Sequence, residues 1–133
     1  MSAGHNVMFV EAKMTLSLKL EKKEHYLRGE VKGEFALNKS IELIQSIIKS
    51  CEEKQICRIL IDAREITPII STVDRIFLGA YLHKEVKKEM KIAIIASIEQ
   101  TQNGKILEKY VVTRGVNLKV FNHSDEALKW LER

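Results

Sequence analysis

Between Asp62 and Arg75 the chain gathers most of the side chains that could do chemistry with a phosphate. The run reads Asp62-Ala63-Arg64-Glu65-Ile66-Thr67-Pro68-Ile69-Ile70-Ser71-Thr72-Val73-Asp74-Arg75. The chain enters a helix at Ser71-Thr72. A hydroxyl at a helix start caps that helix, and a phosphate there faces free backbone N–H groups and the positive end of the helix dipole. Arg64 and Arg75 could add donors, whereas Asp74 would repel a phosphate one turn away. The same residues also fit a structural use. Ser71 is then the N-cap, Asp74 its capping-box partner and Asp62 a turn residue. Ile69 and Ile70 either tuck into the core or form an apolar contact patch.

Other chemistry has no visible carrier. The chain holds no phosphate-cradling Gly-x-x-x-x-Gly-Lys-Ser/Thr, no Gly-x-Gly-x-x-Gly after its first strand and no Gly-x-Ser-x-Gly elbow. His5, His25, His83 and His123 never pair at metal-ligand spacing. Cys51 and Cys57 are too few for a disulfide framework or a zinc site, and both sit at apolar-pattern positions, which predicts reduced core thiols. The expectation is a protein without metal or cofactor, and not an enzyme.

The bulk properties narrow the class. A chain of 133 residues, 45% hydrophobic and 30% charged, is one globular domain with enough core to fold without staples. Six glycines and one proline are too few for a turn-dense sandwich. The net charge of +4 could attract nucleic acid, but both signs interleave, as in His83-Lys84-Glu85-Val86-Lys87-Lys88-Glu89-Met90-Lys91. A solvated surface is expected instead. No apolar run approaches the roughly 20 residues of a membrane helix. No secretory signal is visible at the N-terminus, so a cytoplasmic location is the default.

The elements that must position the Asp62–Arg75 stretch follow from periodicity. Met14, Leu16, Leu18 and Leu20 alternate with polar residues, a half-buried strand. Residues 25–34 alternate again, with Leu27, Gly29, Val31 and Gly33 on one parity, and Lys22-Lys23-Glu24 links the two as a hairpin. Ile41, Ile44, Ile47, Ile48 and Cys51 then predict a helix, capped by Asn38 or Ser40. Ile56 to Ala63 reads as a buried strand ending near Asp62, and a helix runs from Ser71 to about Met90. Its expected apolar stripe is Val73, Ile76, Phe77, Ala80 and Tyr81. Ile92 to Ala96 is a further strand, Ile106, Leu107, Tyr110 and Val111 mark a third helix, and Gly115 falls where a cap needs positive φ. Leu118 to Phe121 and the helix opened by Ser124-Asp125-Glu126 finish the chain. The order ββαβαβαβα predicts a single α/β domain over 14–133. Its sheet is mostly parallel, with an antiparallel edge hairpin and helices packed on it. Residues 1–13 form an arm or an extra strand. Edge strands invite pairing, so a homodimer is possible.

This order, together with Arg58-Ile59-Leu60-Ile61-Asp62, the loop to Ser71-Thr72, and Arg114-Gly115-Val116-Asn117-Leu118-Lys119-Val120-Phe121 before Glu126-Ala127-Leu128-Lys129-Trp130-Leu131, resembles the STAS-like superfamily. Its members include bacterial anti-sigma-factor antagonists, and the fold class extends to lipid-transfer domains. The resemblance implies a regulatory, protein-binding module. A partner kinase would phosphorylate Ser71 or Thr72, and the unphosphorylated surface, with Asp62, Arg64, Ile69, Ile70, Asp74 and Arg75 around it, would bind a kinase or anti-sigma-factor type of protein. The motif departs from the antagonist pattern, which has Asp before the acceptor and glycines after it. Here Ile70 precedes Ser71, and Val73-Asp74-Arg75 follows Thr72. The alternative expectation is a small-ligand or lipid-binding protein with a pocket between helix and sheet.

Overall fold

The structure is a computed structural model and describes residues 16–133. The proposed arm at 1–13 and Met14 of the first expected strand lie outside them. Five strands form one sheet in the order β1-β2-β3-β4-β5: Ser17–Lys22, Leu27–Glu34, Arg58–Thr67, Lys91–Ile95 and Asn117–Phe121. β1 and β2 pair antiparallel and every other neighbouring pair is parallel. Four helices follow β2 to β5 in turn: α1 Leu37–Lys54, α2 Thr72–Glu85, α3 Ile98–Val112 and α4 Ser124–Glu132.

Each parallel crossover steps one strand in the same direction. Right-handed crossovers that never reverse put their helices on a single face, so α1, α2 and α3 share one side of the sheet. α4 follows the last strand and is free to return over the other side. There Ala127 and Leu131 bury completely against a cluster with Leu60, Ala93, Ile95 and Phe121. The larger core lies on the three-helix side, with Ile59, Ile92, Leu118 and Val120 from the strands meeting Ile47, Cys51, Leu78 and Val111 from the helices. Strands covered on both faces carry apolar residues at both parities, as Ile59-Leu60 and Ile92-Ala93 do.

Helix ends explain several boundaries. Ser71 caps α2 and Ser97 caps α3, each accepting the N–H of the residue three further on. α1 departs from expectation: its N-cap is Ala36, with no side-chain bond, while Asn38 and Ser40 lie inside the first turn. It ends at Gln55, a left-handed residue whose N–H reaches the carbonyls of Cys51 and Glu52. Gly115 has φ 95°, as its position required. α2 stops at Glu85 rather than near Met90, with extended Val86 as its C-cap, and Met90 buries into the core from the segment beyond the helix.

Two expectations about packing are corrected. Cys51 is buried, and burial pushes its thiol up to about 11, but Cys57 is exposed and is not a core thiol. The stripe Val73, Ile76, Phe77, Ala80 and Tyr81 does not face the core: the first four are exposed and Tyr81 is half-buried. The buried face is Arg75, Leu78, Gly79 and Leu82. Gly79 decides the orientation, since a Cβ there would stand 2.7 Å from Tyr110 Cδ1. Only a residue without a side chain lets α2 approach α3 so closely.

Candidate functional site

The expected site stretch divides into three places. Asp62 does not end its strand: β3 runs on to Thr67, and the segment from Ala63 to Ile66, expected as loop, belongs to the sheet. The reason is a bulge. Glu30 pairs with Asp62 but Lys32 pairs with Glu65, so β3 carries one extra residue. Asp62 holds it in place. Its Oδ1 accepts the Arg64 backbone N–H (3.2 Å) and the Arg64 Nε (2.9 Å), and its Oδ2 accepts Arg64 Nη2 (2.7 Å) and Arg28 Nη2 (3.3 Å). Hydrogen bonds from Arg64 are the main reason the Asp62 carboxyl lies below the ordinary Asp range. The bulge resets the alternation of the strand. Ala63 and Ile66 face the three-helix side, and Glu65 is left exposed.

At the carboxyl end of the sheet lies the exposed part. Ile69 is half exposed, and Ser71 and Thr72 are open to solvent. Asp74 donates its backbone N–H to Ser71 Oγ (3.1 Å), so the capping bond expected between these residues is formed. Val73, Ile76 and Phe77 continue the apolar surface along α2, with Val73 61% and Phe77 56% exposed. Ile98, at the start of α3, is also exposed.

The third place is internal. Ile70 and Arg75 turn inward, away from Ser71 and Thr72. Arg75 is only 5% exposed. Its Nε donates to the Ile70 carbonyl (3.1 Å) and its Nη2 to Gln100 Oε1 (2.6 Å). Gln100, equally buried, also accepts the Ile70 N–H (3.2 Å) and donates Nε2 to the Ile66 carbonyl (2.9 Å). One side chain thus ties β3, the loop and α2 to the first turn of α3. Sequence reasoning missed Gln100. Its signal was Ser97-Ile98-Glu99-Gln100, a capping-box pattern that opens a helix earlier than the apolar periodicity beginning at Ile106 suggests.

Arg75 and Gln100 lie at the wall of a cavity of about 160 Å³ between the sheet and the three helices. Its lining is otherwise nearly all apolar, with Ile44 and Ile48 from α1, Leu78 and Leu82 from α2, and Ile61 and Ile94 from the sheet. The cavity adjoins the face of α2 opposite the stripe from which a pocket was expected. Burial holds the Arg75 pKa below its ordinary value, with no neighbouring acid contributing.

Among the described residues, no three His, Cys, Asp or Glu side chains come together to hold a metal ion, and no helix is long and apolar enough to cross a membrane. The sequence matches no family model and no curated protein. Solved structures do match. An anti-sigma factor antagonist from Mycobacterium paratuberculosis superposes with a TM-score of 0.65 at 18% identity, over 90% of this chain and 96% of that one. An uncharacterized protein with a SpoIIAA-like fold from Shewanella loihica gives 0.54 at 22% identity, over 87% and 93%. The fold is therefore the STAS-like, SpoIIAA-like one, a five-stranded mixed sheet with four helices.

Proposed function

We propose that this STAS-like domain is a non-enzymatic regulatory module that binds a protein partner through the carboxyl end of β3 and the outer face of α2. Ser71 or Thr72 acts as the phosphorylation switch. The observation that carries the reading is the apolar surface of Ile69, Val73, Ile76 and Phe77 beside two exposed hydroxyl side chains. Apolar side chains left in water next to a modifiable group favour association when that group is neutral. A phosphoryl group adds about −1.5 to −2 charges. On the free protein that charge is tolerable, because the first N–H groups of α2 and its dipole face it. Under a docked partner the same charge would lose its water against Val73 and Phe77, and Asp74 would add repulsion. The switch then works by making a dry interface impossible, and needs no refolding of the domain. The likeness to an anti-sigma factor antagonist supports the same reading.

The test is a photo-crosslinking amino acid at position 77, introduced in cells of the source organism, with a control probe at exposed position 125. A discrete adduct from position 77 alone, lost in Ser71→Asp and kept in Ser71→Ala, is expected. Identical adducts from both positions, or an adduct indifferent to Ser71→Asp and Thr72→Asp, would overturn the proposal.

A further inference from the structure

Arg75 is a buried cation without a counter-charge among the described residues. The ion pairs among the described residues use other cations, and both of its hydrogen-bond acceptors are neutral oxygens. Its remaining terminal nitrogen, Nη1, makes no hydrogen bond to the described residues. It stands 3.7 Å from where a Cβ on Gly104 would lie. Gly104 itself lines the cavity, and Val120 Cγ1 packs 3.0 Å from where that Cβ would lie, so a glycine is needed for α3 to sit against β5 beside the unused donor. Phe35, Leu43, Ile44 and Ile66, which also line the cavity, are half-buried.

An apolar space with one unmatched positive charge at its wall selects its occupant by elimination. Water alone would leave most of the lining without polar partners. A neutral hydrocarbon would fill the space but leave Arg75 uncompensated. A dianionic phosphate ester would bring a second charge that nothing in the site matches. A carboxylate brings one charge and planar acceptors suited to a guanidinium. We propose that the cavity binds a small apolar carboxylic acid, with a chain of about six to eight carbons between sheet and helices and its carboxylate on Arg75 Nη1. Such an acid would also steady the loop before Ser71, because Arg75 and Gln100 hold Ile70 from both sides.

The test is a titration of the isotope-labelled protein with octanoate and, separately, octanol, followed by the methyl resonances of Ile44, Ile61 and Leu78 and the Nε–H of Arg75. Octanoate is expected to shift all four and to bind at least about tenfold more tightly than octanol. Arg75→Gln should bring octanoate down to the affinity of octanol. Ala63→Leu, which adds bulk at the sheet wall of the cavity, should abolish binding of both. Equal affinity for acid and alcohol in the wild type, or no shift at the cavity methyls, would overturn the proposal even if Arg75→Gln fails to fold. Ser71→Asp should leave octanoate binding unchanged, so the outcome is independent of the phosphorylation reading.

Discussion

Asp62 and Arg75 are both buried, on opposite sides of the same sheet, and among the described residues only Asp62 has a counter-charge. Asp62 is 6% exposed and is met by Arg64 and Arg28, so its charge is matched where it stands. It lies on the face covered by α4, where Ala127 and Leu131 are fully buried. Arg75 is 5% exposed and, among the described residues, hydrogen-bonds only to neutral groups, beside a cavity of about 160 Å³. A charge that helps hold a fold is surrounded by its partners. A charge left unmatched beside open space is better suited to something that arrives later.

Packing offers the sharpest way to break this contrast. Ala127→Leu adds volume to the closed face and should destabilise the protein by about 3 kcal/mol. Ala63→Leu adds the same atoms beside the cavity, and its unfolding free energy in urea should stay within about 1 kcal/mol of the parent. Equal losses in the two variants would mean that the two faces do not differ.

Charge comes next. Asp62→Asn leaves Arg64 and Arg28 without their anion and the bulge without its strongest acceptor, a loss of about 2 kcal/mol at neutral pH. The sign of the pH dependence follows from the direction of the shift. The Asp62 carboxyl lies below its ordinary value in the folded state, so its stabilisation is present above about pH 4 and disappears as the pH falls through the folded-state pKa. Urea melts at stepped pH should show a shallower acid loss for Asp62→Asn than for the parent. The smallest effect belongs to Arg75→Met. Removing an uncompensated buried charge offsets the two lost hydrogen bonds, and stability should change by less than about 1 kcal/mol. A loss as large as that of Asp62→Asn would make Arg75 a structural residue like its counterpart.

The same two residues show what was legible in the sequence. Strand alternation, the order of elements, the cap at Ser71 and the turn at Gly115 are local patterns, and the structure reproduces them. The end of β3 was not legible, because Arg64 and Glu65 look like loop residues until the Asp62 bulge shows how a strand accommodates them. The orientation of α2 was not legible either. The helix has apolar residues on two sides, and Arg75 seemed to mark the wet one. It marks the dry one, since Gly79 sets how α2 meets α3 and a cation on that side must go inside. Gln100 acts across three elements, and such reach leaves no periodic trace. The phosphorylation candidates were readable as a cap, but nothing local distinguishes a capping serine from a modified one.

Trp130 adds a practical asymmetry. It is the sole tryptophan of the chain, and it sits on the α4 side, 5.7 Å from the Phe121 ring, with Lys91 Nζ 4.6 Å from its own ring centre. Its emission therefore monitors the docking of the last helix and is insensitive to events at the cavity across the sheet. A fluorescence melt would report one half of the molecule, and a fluorescence titration with a cavity ligand would return a flat line even at saturation.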